Sequence, residues 1–271
     1  MVFNEILFIG GVLMKKRLTF AIVLVSLILP FALFAQENAS PIKVQIFLSG
    51  NIGYAHNGGM DKFVSGWGDY YADNLNQFLI DNSISPADFK GKEETAKFAY
   101  GGEAELRFFY NTFGFGISGG IIGNMASSKL KSKSWSDKAK YSVNSITMPL
   151  LTTFYYEIPV GSSHIAFGGG LGYYMKPSIT VEFENDVSVW SQADYDYKFK
   201  GKSSLGYHAK IEWNMKISSS IIMNAGILGR YVTITDYKNS TLGVLQEADS
   251  TKKFTSNLSG IMVYFGIGFS I

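Results

Sequence analysis

Ionisable and amide side chains recur at even spacings in three segments of the chain. They are Glu103, Glu105, Arg107, His208, Lys210, Glu212, Asn224 and Arg230. Residues two apart point to the same side of a β-strand, so each segment, if it is a strand, presents its members on one face. Because an unpaired buried charge costs several kcal/mol, these faces must pair with one another or be hydrated. The set predicts a polar network of ion pairs, with a path for protons or ions as the alternative.

No pattern typical of a catalytic or metal site accompanies these residues. The three histidines, His56, His164 and His208, lie far apart, which argues against a helical two-histidine metal site. The chain contains no cysteine, so thiolate ligands and cysteine nucleophiles are excluded. The segment 114–119, GFGISG, matches a dinucleotide fingerprint, but its glycines fall inside an alternating run rather than at a strand-to-helix turn. We therefore predict no catalytic residue, no metal, no cofactor and no enzyme.

The elements that must position these residues are strands. At the end of the chain, apolar residues alternate with small or mixed ones; the apolar set is Ile261, Val263, Phe265, Ile267, Phe269 and Ile271. The same period of two predicts eight strands, at 42–55, 96–110, 113–126, 139–157, 164–184, 195–217, 220–236 and 254–271. Each exceeds the roughly 9–11 residues of a tilted membrane strand, whereas no apolar run after residue 35 reaches the roughly 18 residues of a membrane helix.

The alternation and the connections together predict an all-β fold, an eight-stranded antiparallel transmembrane β-barrel. Connections at 111–112, 159–163 and 218–219 are tight, whereas those at 56–95, 127–138, 185–194 and 237–253 are long and polar. Short periplasmic turns and long outer loops are typical of outer-membrane barrels. We expect the apolar face of each strand to contact lipid, including Tyr197, Phe199, Leu205 and Tyr207 in the sixth strand, and the ionisable set to face the lumen.

A soluble, lipocalin-like barrel is the rival interpretation, because it also has eight alternating strands. Its faces would be reversed, which would expose the small-residue face to water. In the third strand that face carries Gly114, Gly116 and Gly120, and glycine makes a poor strand surface. Inside a narrow barrel the same glycines make room for larger side chains, so the pattern favours the membrane barrel.

The segment 146–156, ITMPLLTTFYY, the turn at Pro159 and the segment 166–174, AFGGGLGYY, resemble the bacterial outer-membrane β-barrel domain family of small eight-stranded porin-like proteins. The resemblance covers roughly residues 42–271. It implies a location in the bacterial outer membrane and insertion by the barrel-insertion machinery. Family members often end on an aromatic residue, whereas here Phe269 is followed by Ser270 and Ile271.

The first 35 residues read as upstream sequence and a cleaved signal peptide, followed by a barrel over 36–271. Lys15, Lys16 and Arg17 precede an apolar stretch from Leu18 to Leu33, and cleavage is expected after Ala35, with a retained anchor helix as the alternative. Translation is expected to begin at Met14. Within the first long loop, Trp67, Tyr71, Leu75, Phe78 and Leu79 share one helical face. This helix is expected either to lie over the barrel mouth or to pack against neighbouring loops.

Two groups of lysines stand in the outer parts of the predicted barrel: Lys129, Lys131, Lys133, Lys198, Lys200 and Lys202. They are candidates for contact with lipid phosphates of the outer leaflet, such as those of lipopolysaccharide; a solvated loop surface is the alternative. The net charge of +2 argues against a nucleic-acid partner.

The sequence leaves three functions open. The first is a non-enzymatic surface barrel whose outer loops contact envelope lipid or an external partner. The second is a narrow porin-like channel or small-solute carrier. The third, which is less favoured, is a lipid or peptide hydrolase with its site at the rim, although no His–Ser spacing points to one.

Overall fold

The computed structural model describes residues 42–55, 60–85, 87–93, 98–136, 138–247 and 252–271. The predicted signal peptide and His56 lie outside these residues. Val44–Ile271 forms one compact unit, and the unit before it, Met1–Lys43, is described only at Ile42 and Lys43. Among the described residues, no helix has both the length and the apolar character needed to cross a membrane.

Eight long strands form a closed ring within the described residues. They are β1 (Ile42–Ala55), β2 (Phe98–Tyr110), β3 (Phe113–Lys131), β4 (Ala139–Val160), β5 (Ser163–Asn185), β6 (Ser204–Lys216), β7 (Ile221–Tyr231) and β8 (Gly260–Ser270). From β2 to β8 each strand pairs antiparallel with the next, and β2 is hydrogen-bonded to β1. The ring closes where β1 pairs with β8, with Ile46 opposite Phe269 and Ile52 opposite Val263. The predicted eight-stranded antiparallel barrel is confirmed.

Smaller elements complete the described chain. A helix, α1, spans Met60–Asp81. Short strands lie at Lys90–Glu93, Tyr195–Lys200, Thr233–Ile234, Lys238–Asn239, Gly243–Val244 and Ser256–Asn257.

The two ends of the barrel differ in their connections, as predicted. Tight turns join β2 to β3, β4 to β5 and β6 to β7. The first two contain a residue in the left-handed region, Asn111 (φ 55°) and Gly161 (φ 61°). The start of β1 and the end of β8 lie at this end, which we call the turn end. The long connections and α1 belong to the opposite end, the loop end. In outer-membrane barrels the short turns face the periplasm.

Near the turn end, the outward face of the strands is apolar. Phe154, Leu171 and Phe265 are 68%, 64% and 66% exposed. Polar and small residues such as Arg107, Ser118 and Glu212 are buried inside the ring. An apolar outer surface around a polar interior suits lipid rather than water, so the predicted orientation of the faces is confirmed in this part of the barrel.

Toward the loop end, the polarity of the two faces is exchanged. β4 and β5 are 22 and 23 residues long, about twice the roughly 9–11 residues that a membrane strand needs. In their excess length Tyr141, Val143 and Phe183 are buried on the inward face. The outward face now carries Lys140, Ser142 and Glu182, as a water-exposed sheet does.

This loop-end extension and the long connections pack into one apolar core, which we call the cap. The cap comprises α1, the loop-end parts of β3 (126–131), β4 (139–145) and β5 (178–185), the strand Tyr195–Lys200 and residues 232–258 that the structure describes. Its core residues include Met60, Phe63, Val64, Leu75, Leu79, Leu130, Val143, Val181, Phe199, Ile234, Tyr237 and Phe254. Burial of these side chains stabilises the cap without any contribution from lipid.

Helix α1 is the central element of the cap. Its apolar face packs on inward side chains of the sheet, with the Phe63 ring 6.2 Å from that of Tyr141 and the Tyr71 ring stacked 4.5 Å from that of Phe183. Gly68 permits a close approach, because a Cβ there would lie 2.9 Å from the Cβ of Ser128. The predicted helix is confirmed, and it packs against the strand extensions of the cap as well as its loops.

A β-bulge in β5 explains why the predicted lipid-facing side of this strand turns inward in the cap. Ile146 pairs with Ser178 but Met148 pairs with Met175, so β5 holds one extra residue, and Lys176 there adopts a φ of 48°. One extra residue moves every later side chain to the other face.

In the predicted sixth strand, too, the apolar residues change from the outward to the inward face. This strand is interrupted between Lys200 and Ser204. Phe199 is therefore buried in the cap core instead of facing lipid. Tyr197 pairs with the inward residue Val181, although it is 40% exposed. The expectation that Tyr197 and Phe199 contact lipid was wrong, whereas Leu205 and Tyr207 do face outward, 76% and 58% exposed.

Candidate functional site

The lumen near the turn end is crossed by a network of buried charges centred on Arg107. Its guanidinium donates through Nη2 to Oε2 of Glu105 at 2.7 Å and to Oε2 of Glu212 at 3.0 Å, and through Nη1 to Oε1 of Glu212. Arg107 is 1% exposed, Glu105 4% and Glu212 1%. One cation is thus shared by two carboxylates from opposite sides of the barrel.

Lys210 supplies the second cation of the network. Its Nζ lies 2.9 Å from Oε2 of Glu105 and 3.6 Å from Oε1 of Glu103. The Tyr264 hydroxyl donates to Glu212 at 2.5 Å, and the Tyr155 hydroxyl donates to Glu105. With these hydroxyls, the carboxylates receive the several hydrogen bonds that a buried ion needs.

Aromatic rings enclose the charged groups. The Arg107 guanidinium carbon lies 4.1 Å from the centre of the Phe47 ring and 4.7 Å from that of Tyr155. Lys210 Nζ lies 5.2 Å from the centre of the Tyr155 ring. Cation–π attraction at this range strengthens when water is excluded.

Large and small residues alternate around the ring. Even-numbered strands contribute the large side chains, namely Arg107 on β2, Tyr155 on β4, Lys210 and Glu212 on β6 and Tyr264 on β8. Strands β3, β5 and β7 contribute glycines: a Cβ on Gly116 (β3) or Gly168 (β5) would lie 2.9 Å from the Tyr155 ring, and one on Gly226 (β7) 2.7 Å from Tyr264. Between β1 and β8 the order is reversed, because Phe47 of β1 packs over Gly268 of β8. Small barrels fill their interiors by such alternation.

The remaining predicted lumen residues are also buried inside the ring. His208 places Nε2 at 2.9 Å from the Thr153 hydroxyl, and Arg230, opposite His208 in the β6–β7 register, donates to the sulfur of Met262. Asn224 is 3% exposed. The structure thus brings Glu103, Glu105, Arg107, Lys210 and Glu212 into one network and places His208, Asn224 and Arg230 elsewhere on the inward wall.

A small cavity adjoins the network. A cavity of about 10 Å³ is lined by residues that include Ser49, Asn51, Glu103, Lys210 and Tyr264. That volume holds about one water molecule. This arrangement can bind a water and hold charges in place.

Sequence analysis missed several lumen residues that take part in the network. Tyr155, Tyr264 and Phe47 were assigned no role, yet all three contact Arg107, Glu105 or Glu212. Their alternation placed them on the inward face, so the signal was present. It was not sufficient, because alternation gives the inward face of a strand but not the height in the barrel at which two inward side chains meet.

The structure places both predicted lysine groups on the outside of the cap or in its loops. Lys129 and Lys131 stand on the outward face of β3, Lys133 in the following loop, Lys198 and Lys200 on the strand Tyr195–Lys200, and Lys202 just after it. Register also brings other lysines beside them: Lys92 and Lys140 flank Lys129, Lys90 lies opposite Lys131, and Lys238 opposite Lys200.

An aromatic cluster lies between α1 and the strand Tyr195–Lys200. The hydroxyls of Tyr71 and Tyr195 are 2.7 Å apart, and the Tyr195 ring stacks on those of Phe183 and Tyr197. Burial raises the pKa of Tyr71 and of Tyr195, so both phenols stay neutral at physiological pH.

The described residues hold no grouping of three or more His, Cys, Asp or Glu side chains suited to a metal ion. His208 lies within the lumen, and His164 lies at the turn end, opposite Asn214 and Pro159.

No protein-family model and no curated protein matches this chain. Among solved structures it is similar to the outer membrane protein OprG from Pseudomonas aeruginosa, with 10% identity over 85% of this chain and 95% of that one and a TM-score of 0.39. It is also similar to Neisserial surface protein A, with 10% identity, coverages of 86% and 98% and a TM-score of 0.38. A third is the outer membrane protease OmpT from Escherichia coli, with 7% identity, coverages of 85% and 96% and a TM-score of 0.38.

These scores are low, so the fold assignment rests on the strand pairing of this chain itself. A closed antiparallel ring of eight strands with an apolar outer belt, short turns at one end and long connections at the other is the architecture of bacterial outer-membrane barrels. The chain is an integral outer-membrane β-barrel.

Proposed function

We propose that this protein is a non-enzymatic outer-membrane barrel with a closed lumen, which holds a folded cap outside the membrane for contact with envelope lipid or an external partner. The observation that carries this proposal is the Arg107 network. Its ion pairs join β2 to β6 across the barrel, and aromatic rings fill the space beside them.

The length and the core of the cap support the part of the proposal that concerns contact with lipid or an external partner. A channel needs only enough strand to cross the membrane, whereas β4 and β5 run about twice that far and end in a cap with its own apolar core. Loops ordered by such a core present a fixed surface, which suits binding better than passage of solutes.

The leading alternative is a narrow channel or small-solute carrier. Glu103, Lys210, Glu105, Arg107 and Glu212 form an unbroken chain of ionisable groups, which is the arrangement that a proton or ion path would use. Against it stand the mutual pairing of these groups and the small volume of the adjoining cavity.

Proton flux distinguishes the two functions. Proteoliposomes containing the mature protein and an internal pH-sensitive dye are given a pH step. We expect the gradient to decay as slowly as in protein-free liposomes, because each ionisable group is held by a partner. Rapid decay that is abolished in Glu105→Gln would contradict the closed lumen and favour the path.

A rim-located hydrolase is the remaining candidate, since OmpT is named as a protease. We expect no cleavage of unstructured fluorogenic peptides and no release of fatty acid from phospholipid vesicles. Cleavage that persists through refolding from denaturant, and therefore belongs to this chain, would contradict the non-enzymatic function.

A further inference from the structure

Four exposed lysines cluster at the bulge in β5. The backbone N–H of Gly201 donates to the carbonyl oxygen of Pro177 at 2.8 Å, and this bond holds the segment 200–202 beside the bulge. Lys238 lies directly opposite Lys200 on the neighbouring strand. We call this group the bulge patch; its members are Lys176, Lys200, Lys202 and Lys238.

The bulge patch lies on the outer wall of the cap. Phe199 and Tyr237 are buried in the cap core, so Lys200 and Lys238, which follow them on their strands, point outward. Lys176 adopts a φ of 48°, which is uncommon for a residue other than glycine. A bulge can re-aim a side chain in this way, and Lys176 is exposed although the next residue along the chain is buried.

The positive charge of the bulge patch is not balanced by the chain. Within the part of the chain that the structure describes, none of its four lysines takes part in an ion pair. Asp236, the acid nearest along the chain, lies 3.7 Å from Nζ of Lys253. Lys200 and Lys238 form a cross-strand pair of like charge, which destabilises a sheet. A bound anion would remove this repulsion.

The height of the bulge patch on the barrel indicates which anion. Tyr173 on β5 and Leu205 on β6 lie opposite each other in the lipid belt, 44% and 76% exposed. Lys176 and Lys202 each stand three residues nearer the loop end, about 10 Å along the strand and about 8 Å in height at a tilt of about 40°. The headgroup layer extends about 5–8 Å beyond the hydrocarbon. Flexible lysine stems let the ammonium groups reach that layer.

We propose that the bulge patch binds the phosphorylated headgroup of an outer-leaflet glycolipid, the chemistry of lipopolysaccharide. Four ammonium groups suit a headgroup with two phosphates, each held by charge-assisted hydrogen bonds, better than a headgroup without net charge. Nearer the turn end, the outward rings of Tyr207 and Tyr231 stack at 5.1 Å, as the rings of an aromatic girdle do at the membrane interface. The inference deepens the proposed function and rests on it for the placement of the cap on the outer side of the membrane.

The test titrates the refolded mature chain in detergent with diphosphoryl lipid A, and bound lipid is counted by native mass spectrometry. The patch variant combines Lys200→Gln, Lys202→Gln and Lys238→Gln. The matched control combines Lys90→Gln, Lys92→Gln and Lys133→Gln, which removes the same charge from the other end of the cap sheet. We expect the patch variant to lose at least about tenfold in affinity, since each lysine near an anionic lipid surface contributes about fivefold, and the control to keep its affinity.

Lys176→Gly and thermal unfolding separate binding from folding. Glycine adopts a positive φ without strain, so this variant keeps the bulge and removes one ammonium group, and it should bind lipid A about fivefold more weakly. Without lipid A, both this variant and the patch variant should unfold at the temperature of the unmodified protein or higher. With lipid A, the unmodified protein should gain more in unfolding temperature than either variant, because it binds the lipid more tightly.

Three results would overturn the proposal: equal losses of affinity in the patch variant and the control, equal binding of dephosphorylated lipid A, or tighter binding of a soluble heparin fragment than of lipid A at the bulge patch. The last result would assign the patch to an external polyanion. Proton flux measured on the same samples keeps the two proposals apart, because a conducting lumen with an intact lipid site overturns only the proposed function.

Discussion

At the residue scale, the proposal of a closed lumen rests on large side chains that lie against glycines of neighbouring strands. The Tyr155 ring lies between Gly116 and Gly168, and its hydroxyl holds Glu105, which in turn pairs with Arg107 and Lys210. A change at one of these positions therefore affects both packing and charge pairing.

Gly168 and Gly169 offer a matched pair for testing this packing, since they are adjacent and face opposite ways. A Cβ on Gly168 would lie 2.9 Å from Tyr155 and from Thr153, whereas a Cβ on Gly169 would have its nearest neighbour 3.9 Å away. We expect Gly168→Ala to lower the free energy of unfolding by about 1–3 kcal/mol through overpacking. Gly169→Ala should be neutral or slightly stabilising. The free energy of unfolding of each variant is measured by urea unfolding in lipid vesicles. Equal losses in the two variants would contradict close packing of Tyr155 against Gly168 in the lumen.

Substitutions of Arg107 test whether the buried charges depend on one another. Removing its side chain leaves Glu212 and part of Glu105 buried without their main partner, so Arg107→Ala should destabilise the barrel by about 3–5 kcal/mol. The double variant Arg107→Met with Glu212→Leu removes both ions of one pair and should recover much of that loss. If the double variant is as unstable as Arg107→Ala, the loss comes from packing and not from the unpaired carboxylate.

At the element scale, single strands run from the lipid belt into the cap, where their outward face contacts water. β3, β4 and β5 present apolar residues outward near the turn end and polar residues outward in the cap, with the bulge at Met175–Ser178 reversing the face in β5. The alternation predicted the strands and the lipid-facing side near the turn end correctly. Sequence analysis did not predict the reversal, although Pro177 marks the place, because proline inside a sheet is confined to edge strands and bulges. Which strand carries the extra residue depends on how the two strands pair.

The reversal can be tested with two lysine substitutions on the outward face of β5. Leu171 is 64% exposed in the lipid belt, so Leu171→Lys should impair insertion, by about 2–4 kcal/mol if it lies near the midplane. Thr180 lies outward in the cap, where water can solvate a charge, and Thr180→Lys should fold normally. Folding yield into vesicles measures both, and similar defects would show that the lipid belt extends into the cap.

At the scale of the whole molecule, a closed barrel in the membrane carries a cap with its own apolar core. Sequence analysis predicted the eight-stranded barrel and the inward face of each ionisable residue. It did not predict the cap core, because Val181 and Phe199 continue the lipid-facing alternation of their predicted strands, and their partners on α1 and in residues 232–258 are not apparent from the sequence. The lysine groups were likewise predicted from their spacing along the chain. Lys92, Lys129 and Lys140 lie side by side only because their strands pair.

Closure of the ring predicts resistance to unfolding. Every barrel strand has hydrogen-bonded neighbours on both sides, and closed barrels leave no lipid-exposed backbone unsatisfied. We expect the unheated protein in sodium dodecyl sulfate to migrate differently from the boiled protein and to give strand-dominated circular dichroism. Identical migration with a helix-rich spectrum would contradict the barrel.

The central claim, that side chains close the lumen, is tested most directly by the conductance of the unmodified protein in planar lipid bilayers. We predict no steady ion current above the bare bilayer, with leak events appearing only in Arg107→Ala, where the largest buried side chain of the network is removed. A steady, reproducible conductance of the unmodified protein, with ion selectivity that changes in Glu105→Gln, would contradict the closed lumen and identify the protein as a channel.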